Sequence, residues 1–265
     1  MIKRPRSMLF GSEPRNYNSA WMTGDTEEMY LNQDRDALKT HGWDNKAKAY
    51  SLNYTTNEYG FREERDYRLQ GDMALGCSFT YGMGVHKEDT WPSMLGGLTD
   101  RHIYNFGMPG HGLMGAFRIA MHFALLLKPK NVYILAPGFD RIEYFHPHYS
   151  AWVPYGGWSE PSDEVAMTML GQENAFLLNS AALCGIKGIC DSIGAKMYVV
   201  HPAIEMQGEH AIGVMGRDLV HPGRLVQKEY AKLFATTEPW TFTHQNIGAA
   251  FTLPDPTHSP VLFPE

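Results

Sequence analysis

A chain of 265 residues, 43% hydrophobic and 20% charged, has the composition of a globular protein with a substantial core, in one large domain or two small ones. The formal charge of −6 supplies no basic field for nucleic acid, and three cysteines are too few for a disulfide framework, so Cys77, Cys184 and Cys190 are expected as buried free thiols. Lys3, Arg4 and Arg6 are followed by no apolar run, and the longest strongly apolar stretch, around residues 123–127, is too short to span a bilayer; a cytoplasmic protein with no membrane segment is expected.

Residues 1–68 are polar, rich in aromatic residues and without apolar period, and are expected as an irregular N-terminal arm packed on the main body. Residues 69–238 carry short apolar runs that alternate with longer helical patterns. Residues 73–75 read as a strand that stops at Gly76, and a helix follows from Thr90 as N-cap, with Trp91, Met94, Leu95 and Leu98 at helical spacing. A second strand covers 103–106, a helix 113–127 ends before Pro129, and a third strand covers 132–135. Residues 137–164 have little regular pattern and read as a long lid or binding loop. A helix from about Val165 or Gln172 to Ile193 precedes Gly194 as C-cap candidate, a fourth strand covers 197–200, and Pro222 opens a last helix through Phe234. Residues 239–265 are rich in proline and read as an extended tail. This alternation predicts an α/β fold with a parallel sheet, helices on both faces, and functional loops at the C-terminal ends of the strands.

Chemistry-bearing residues fall at those ends. The first strand closes in Gly76-Cys77-Ser78-Phe79-Thr80-Tyr81-Gly82, and a serine at a strand-to-helix turn raises its hydroxyl above the sheet beside backbone N–H groups. The phosphate-cradling turn of a flavin-binding sheet reads the same way, whereas Gly82-Met83-Gly84 lacks the third glycine of a dinucleotide site. In Asp218-Leu219-Val220-His221-Pro222-Gly223, residues three apart share a face. A carboxylate there can hold the imidazole tautomer and leave the other ring nitrogen facing outward. A surface turn before a helix, with Asp218 and His221 as local caps, is the other reading. A serine hydroxyl needs a positioned base and the base needs an orienting group, so the two segments together point to a Ser78, His221, Asp218 relay.

Four blocks in order resemble the SGNH/GDSL hydrolase family, in a branch whose members occur in bacteria and viruses. Asn57-Glu58-Tyr59-Gly60-Phe61-Arg62 is similar to its N-x-x-G-F-R segment. The Gly76 to Gly82 turn, followed by Val85, Thr90, Trp91 and Pro92, resembles G-D-S-F-T-x-G…V…T-W-P. Asn105-Phe106-Gly107-Met108-Pro109-Gly110 resembles N-x-G-x-x-G, and Asp218-Leu219-Val220-His221-Pro222 matches D-x-x-H-P. The resemblance implies a three-layer α/β/α, flavodoxin-like fold. It also implies Ser78 as nucleophile, His221 as base, Asp218 as orienting acid, and the N–H groups of Ser78 and Gly107 in an oxyanion hole.

Cys77 stands where the family has aspartate. In Gly138-Phe139-Asp140-Arg141, Asp140 takes the place of the oxyanion-hole asparagine. Losing one such donor costs about 2.7–4 kcal/mol, and an ionised carboxylate about 4 Å from a developing oxyanion adds about 4 kcal/mol of repulsion at an effective dielectric of about 20. A protonated Asp140, the charge of Arg141 or another donor would offset this, and Arg62, His111 and Arg141 are candidate substrate-binding residues. His146, His148, Glu205 and His210 lack regular metal-ligand spacing, so no metal is expected. Tyr144, Phe145, Tyr149, Trp152, Tyr155 and Trp158 would either stack on a sugar or acyl group or pack their loop onto the sheet.

The expected function is a serine esterase acting without cofactor on a small-molecule or glycan ester, such as a sugar O-acetyl group, with no nucleic acid or membrane partner. The alternatives are a catalytically impaired binding or structural module, in a virion or on a glycan, and an acyltransferase using the same triad.

Overall fold

The computed structural model describes residues 15–64, 67, 70–138, 141–146, 151–156, 172–202 and 213–241. Four strands, β3 (Asp72–Gly76), β4 (Ile103–Gly107), β5 (Asn131–Leu135) and β8 (Lys196–Val200), form a parallel sheet in the order β4-β3-β5-β8. Strands β3 and β4 are buried along their whole length, as near-continuous apolar runs require when both sheet faces are covered.

Alternate strand residues enter two separate cores. Met73, Leu75, Val132 and Ile134 pack with Ile119 and Phe123 of helix α6 (Leu113–Leu127) and with Leu183 and Ile186 of helix α7 (Gln172–Ile193). Ala74, Tyr133 and Leu135 pack with Trp91 and Leu95 of helix α5 (Trp91–Thr99) and with Val226, Tyr230 and Phe234 of helix α8 (Arg224–Thr236). Each fully buried Val, Leu, Ile, Met or Phe among them contributes about 1.5–3 kcal/mol. Parallel register aligns Gly76 with Gly107 on one side and Leu135 on the other, and Leu135 with Val200, so the strands end along one rim. The order reverses direction between β3 and β5, where an open α/β sheet forms its crevice.

Strand positions and α6 fall where the apolar patterns predict them; α7 is described from Gln172, the other expected start at Val165 lying outside the described residues, and Gly194 follows it in the left-handed region. Thr90 does precede α5, but its hydroxyl donates to the Lys87 carbonyl at 2.8 Å instead of capping the helix. Pro222 does not open the last helix. It bridges to Met215, and α8 starts at Arg224 after Gly223. Within the expected loop 137–164, β6 (Ile142–His146) pairs antiparallel with β7 (Ala151–Tyr155), which suits their content of β-branched and aromatic residues. Cys77 and Cys190 are buried free thiols, the latter pushed up to about 12 by burial, whereas Cys184 is half-buried.

The N-terminal segment is more ordered than its composition suggests. Helices α1 (Glu27–Asn32), α2 (Arg35–Thr40) and α3 (Lys46–Ser51) are capped by the side chains of Thr26, Asp34 and Asn45. The short strands β1 (Asn18–Ser19) and β2 (Tyr54–Thr55) pair antiparallel. Met22, Tyr30, Leu38, Trp43, Leu52 and Tyr54 form a small core, completed by Tyr81 and Met83 from the main body. Of the expected tail, residues up to 241 are described, and the Trp240 N–H donates to Met197 O at 2.6 Å.

One described helix stretch, Asn174–Ile193, is long and apolar enough by length and composition to cross a membrane, which the sequence reading missed. Its Ala182, Leu183, Ile186 and Cys190 pack into the sheet core.

Candidate functional site

Ser78 begins the short helix α4 (Ser78–Tyr81) directly after β3, 6% exposed, at the rim where the strand order reverses. Its turn is bound from three directions. The Gly82 and Met83 N–H groups donate to the Ser78 carbonyl. The Gln227 side chain donates to Phe79 O at 2.9 Å and accepts from the Trp91 N–H at 2.9 Å, which joins the turn to α5 and α8. Asn105 on β4 donates through Nδ2 to Thr80 O at 2.8 Å and accepts the Gly107 N–H on Oδ1 at 2.9 Å. The Gly107 N–H, expected in an oxyanion hole, is therefore bonded to its own strand. Position 107 must be glycine because a Cβ there would collide with the backbone of Tyr81.

Asp218 and His221 lie on the turn before α8. The buried Asp218 carboxylate binds His221 Nδ1 through Oδ2, and its Oδ1 accepts the backbone N–H groups of His221 at 3.0 Å and Val220 at 3.2 Å. Burial by itself would push this carboxyl up, but the hydrogen bond and charge of His221 and the two N–H groups outweigh it and hold the carboxyl below its ordinary value. With Nδ1 fixed, the His221 ring keeps 15% of its side chain exposed and lies edge-on to Phe79, the neighbour of Ser78, with ring centroids 5.9 Å apart. Leu219 between acid and histidine sits in the left-handed region at φ 54, and Gly216 N donates to His221 O at 2.7 Å across the turn.

Residues that the sequence reading did not single out hold this turn in place. Arg217 is fully buried and reaches into the N-terminal segment, where it meets Asp25, the Ala49 carbonyl at 2.6 Å and the Ala20 carbonyl at 2.6 Å. Gln33 donates to the Asp218 carbonyl at 2.6 Å, and Trp43 Nε1 donates to the Met215 carbonyl at 3.1 Å. Arg217 carries one readable signal, its place beside the D-x-x-H block. Asp25 and Gln33 carry none.

Arg62, expected to meet substrate, is 1% exposed. Its guanidinium donates to Gly82 O at 2.6 Å and to Asn53 O and Val85 O at 2.9 Å, so it braces the chain after the Ser78 turn from within. His111 is likewise buried: its Nδ1 meets Glu143 Oε2 at 2.5 Å, and its Nε2 has no hydrogen-bond partner among the described residues. Glu143 also binds Arg118 Nε at 3.1 Å, and Arg118 lies over the Trp152 ring at 5.3 Å. Burial would raise the Glu143 carboxyl, and His111 and Arg118 together hold it below its ordinary value. Arg141 is half-buried at the start of the hairpin, its carbonyl accepting from Asn179 at 3.0 Å. Trp152 thus packs against the body, while Phe145 is exposed. Asp140, His148, Tyr149, Trp158, Glu205 and His210 lie outside the described residues, as does the side chain of His146. Among the described residues, no three His, Cys, Asp or Glu side chains form a group that could hold a metal ion.

No protein-family model matches the chain, and no curated protein sequence matches it. Solved structures with similar folds include a protein described as lipolytic, of the G-D-S-L family, from Desulfitobacterium hafniense DCB-2. It is 14% identical, over 61% of this chain and 95% of that one, with a TM-score of 0.33. A carbohydrate esterase family 2 enzyme with a carbohydrate-binding domain, from Corynascus thermopiles (Myceliophthora fergusii), is 13% identical over 76% of this chain and 71% of that one, with a TM-score of 0.40. An acetyl xylan esterase from Butyrivibrio proteoclasticus is 12% identical over 65% of this chain and 53% of that one, with a TM-score of 0.33. At these scores the likeness is a partial match of shape, and function has to be argued from the site itself.

Proposed function

We propose that the chain is a serine hydrolase of ester bonds, with residues 69–238 as a three-layer SGNH-like domain and the N-terminal segment packed on it. The observation that carries this reading is the Asp218–His221 pair: a buried carboxylate fixes Nδ1 of an imidazole that lies edge-on to the ring of Phe79, the residue after Ser78. A hydrogen-bonded carboxylate on Nδ1 leaves Nε2 as the basic nitrogen, which is what a serine nucleophile needs.

In this reading Ser78 Oγ attacks the ester carbonyl as His221 Nε2 takes its proton, and the electron pair of the carbonyl moves onto oxygen. Collapse of that intermediate breaks the bond to the leaving alcohol, which receives the proton from His221. Water then attacks the acyl-enzyme, giving its proton to His221, and the acid leaves with Ser78 regenerated. The Ser78 N–H is the first oxyanion donor, and Gly107 contributes only by exchanging its bond to Asn105. The relay needs no cofactor. Small acyl or carbohydrate O-acetyl esters are the proposed substrates, in keeping with the aromatic residues of the hairpin, of which Phe145 is exposed.

The test is labelling by a fluorophosphonate, whose phosphorus bonds to serine oxygen with loss of fluoride. Labelling of the wild type and none of Ser78→Ala supports the reading; an unlabelled, folded wild type overturns it. A second reading, a binding module of the same fold with little turnover, is favoured by the Gly107 N–H being engaged by Asn105. It predicts ester or glycan binding without hydrolysis.

A further inference from the structure

Four hydrogen bonds close a ring between three parts of the chain. Arg217 Nη2 donates to Asp25 Oδ2 at 2.7 Å, the Tyr54 hydroxyl donates to the same carboxylate oxygen, the Gly84 N–H donates to the Tyr54 hydroxyl at 2.8 Å, and the Arg217 N–H donates to the Gly84 carbonyl at 2.8 Å. Arg217 immediately precedes Asp218, and Gly84 follows the Ser78 turn. The ring therefore joins the acid–histidine turn and the serine turn through two residues of the N-terminal segment. Arg217 is further fixed by the Ala20 and Ala49 carbonyls and by the Trp21 ring, 3.8 Å from its guanidinium carbon. Gln33 adds a separate bond to the Asp218 carbonyl.

We propose that Asp25, acting through Arg217, is a positioning residue for His221, which makes residues 15–64 part of the hydrolytic machinery and more than a covering arm. The proposal rests on the triad reading above. A buried ion pair is a poor source of stability but a good way to fix one geometry. Burial holds the Asp25 carboxyl above its ordinary value even though Arg217 and Tyr54 pull it down. Its ionised form therefore lowers folding stability at neutral pH, and the pair is better explained by the orientation it imposes. The orientation matters because a misplacement of about 1 Å can cost about a hundredfold in rate.

The test uses the full chain and two readouts: the rate of fluorophosphonate labelling at Ser78, and the proton NMR resonance of the Nδ1–H that His221 shares with Asp218. Asp25→Asn is expected to slow labelling by about tenfold or more and to broaden or shift that resonance, with far-UV circular dichroism unchanged. In a His221→Ala background the same change has no further effect, which a general loss of structure would not produce. Tyr54→Phe, which removes the hydroxyl that bonds both Asp25 and Gly84 in the ring, is expected to act in the same direction by a few-fold and stands in if Asp25→Asn fails to fold. Labelling at the wild-type rate with an unmoved resonance in the folded variants overturns the proposal. If instead the wild type does not label, or His221→Ala labels as fast as the wild type, the triad reading fails, and the resonance alone decides whether Asp25 positions the imidazole.

Discussion

The sheet domain and the N-terminal segment are built on opposite principles. In the first, long apolar runs bury Met73, Leu75, Ile119, Phe123 and Trp91 against one another, and the rim turns are what remains after the strands end. In the second, six-residue helices with few aliphatic residues gather around Tyr30, Trp43 and Tyr54 and borrow Tyr81 and Met83 to complete their core. The contrast separates two tasks. Packing brings the serine and histidine turns to one rim, while directed hydrogen bonds, donated by residues 33, 43 and 62 and accepted by residues 25 and 54, hold those turns to a defined shape.

Substitutions can break this division or sharpen it. The largest expected effect is on rate and lies in the proposed relay: Asp218→Asn leaves Nδ1 with the wrong hydrogen-bond partner and, on the proposed hydrolase reading, is expected to lower ester turnover by roughly 10⁴-fold, read in steady-state assays. Next, Arg217→Ala strands the Asp25 carboxylate in a buried site and is expected to cost about 3–5 kcal/mol in urea denaturation. Ile119→Ala, in the sheet core, is expected to cost about 2–5 kcal/mol while leaving the labelling rate of the folded protein unchanged. Equal loss of labelling in Ile119→Ala and in the N-terminal variants would erase the distinction.

A smaller effect is expected at Gly84, where φ is 77 and a Cβ would stand 2.9 Å from Asp218 Oδ1. Gly84→Ala is expected to cost about 1–3 kcal/mol through backbone strain and to slow labelling as well, because the added atom presses on the acid. The smallest effect is on pH dependence. Since the folded state holds the Asp218 carboxyl below its ordinary value, the stability it contributes is complete above the ordinary carboxylate range and is lost as the pH falls through the lowered value. Asp218→Asn is expected to flatten that acid-side slope in denaturation curves taken from neutral to acid pH.

Much of the sheet is legible in the sequence because apolar runs report burial directly. The strands over 73–75, 103–106, 132–135 and 197–200 and the helix 113–127 need only local pattern. The three-residue spacing of Asp218 and His221 likewise suffices to bring carboxylate and imidazole together. The N-terminal segment is harder to read because six residues are too short to display a helical period. Its caps at Thr26, Asp34 and Asn45 were the available signal. Arg217 and Asp25 are 192 residues apart, and nothing local in a sequence tells one buried charge where its partner lies. The same holds for Arg62, whose reach to three carbonyls looks in sequence like any exposed arginine near a motif, and for His111, whose partner Glu143 sits in a hairpin masked by irregular composition.

Asn105 gives the rim an unusual intolerance to change. Its carboxamide must present oxygen to one neighbour and nitrogen to another across a fixed span. Aspartate lacks the donor, leucine has neither group, and glutamine is longer by a methylene. In a saturation library this codon should collapse to a single amino acid, while adjacent core sites accept isosteric aliphatic exchanges.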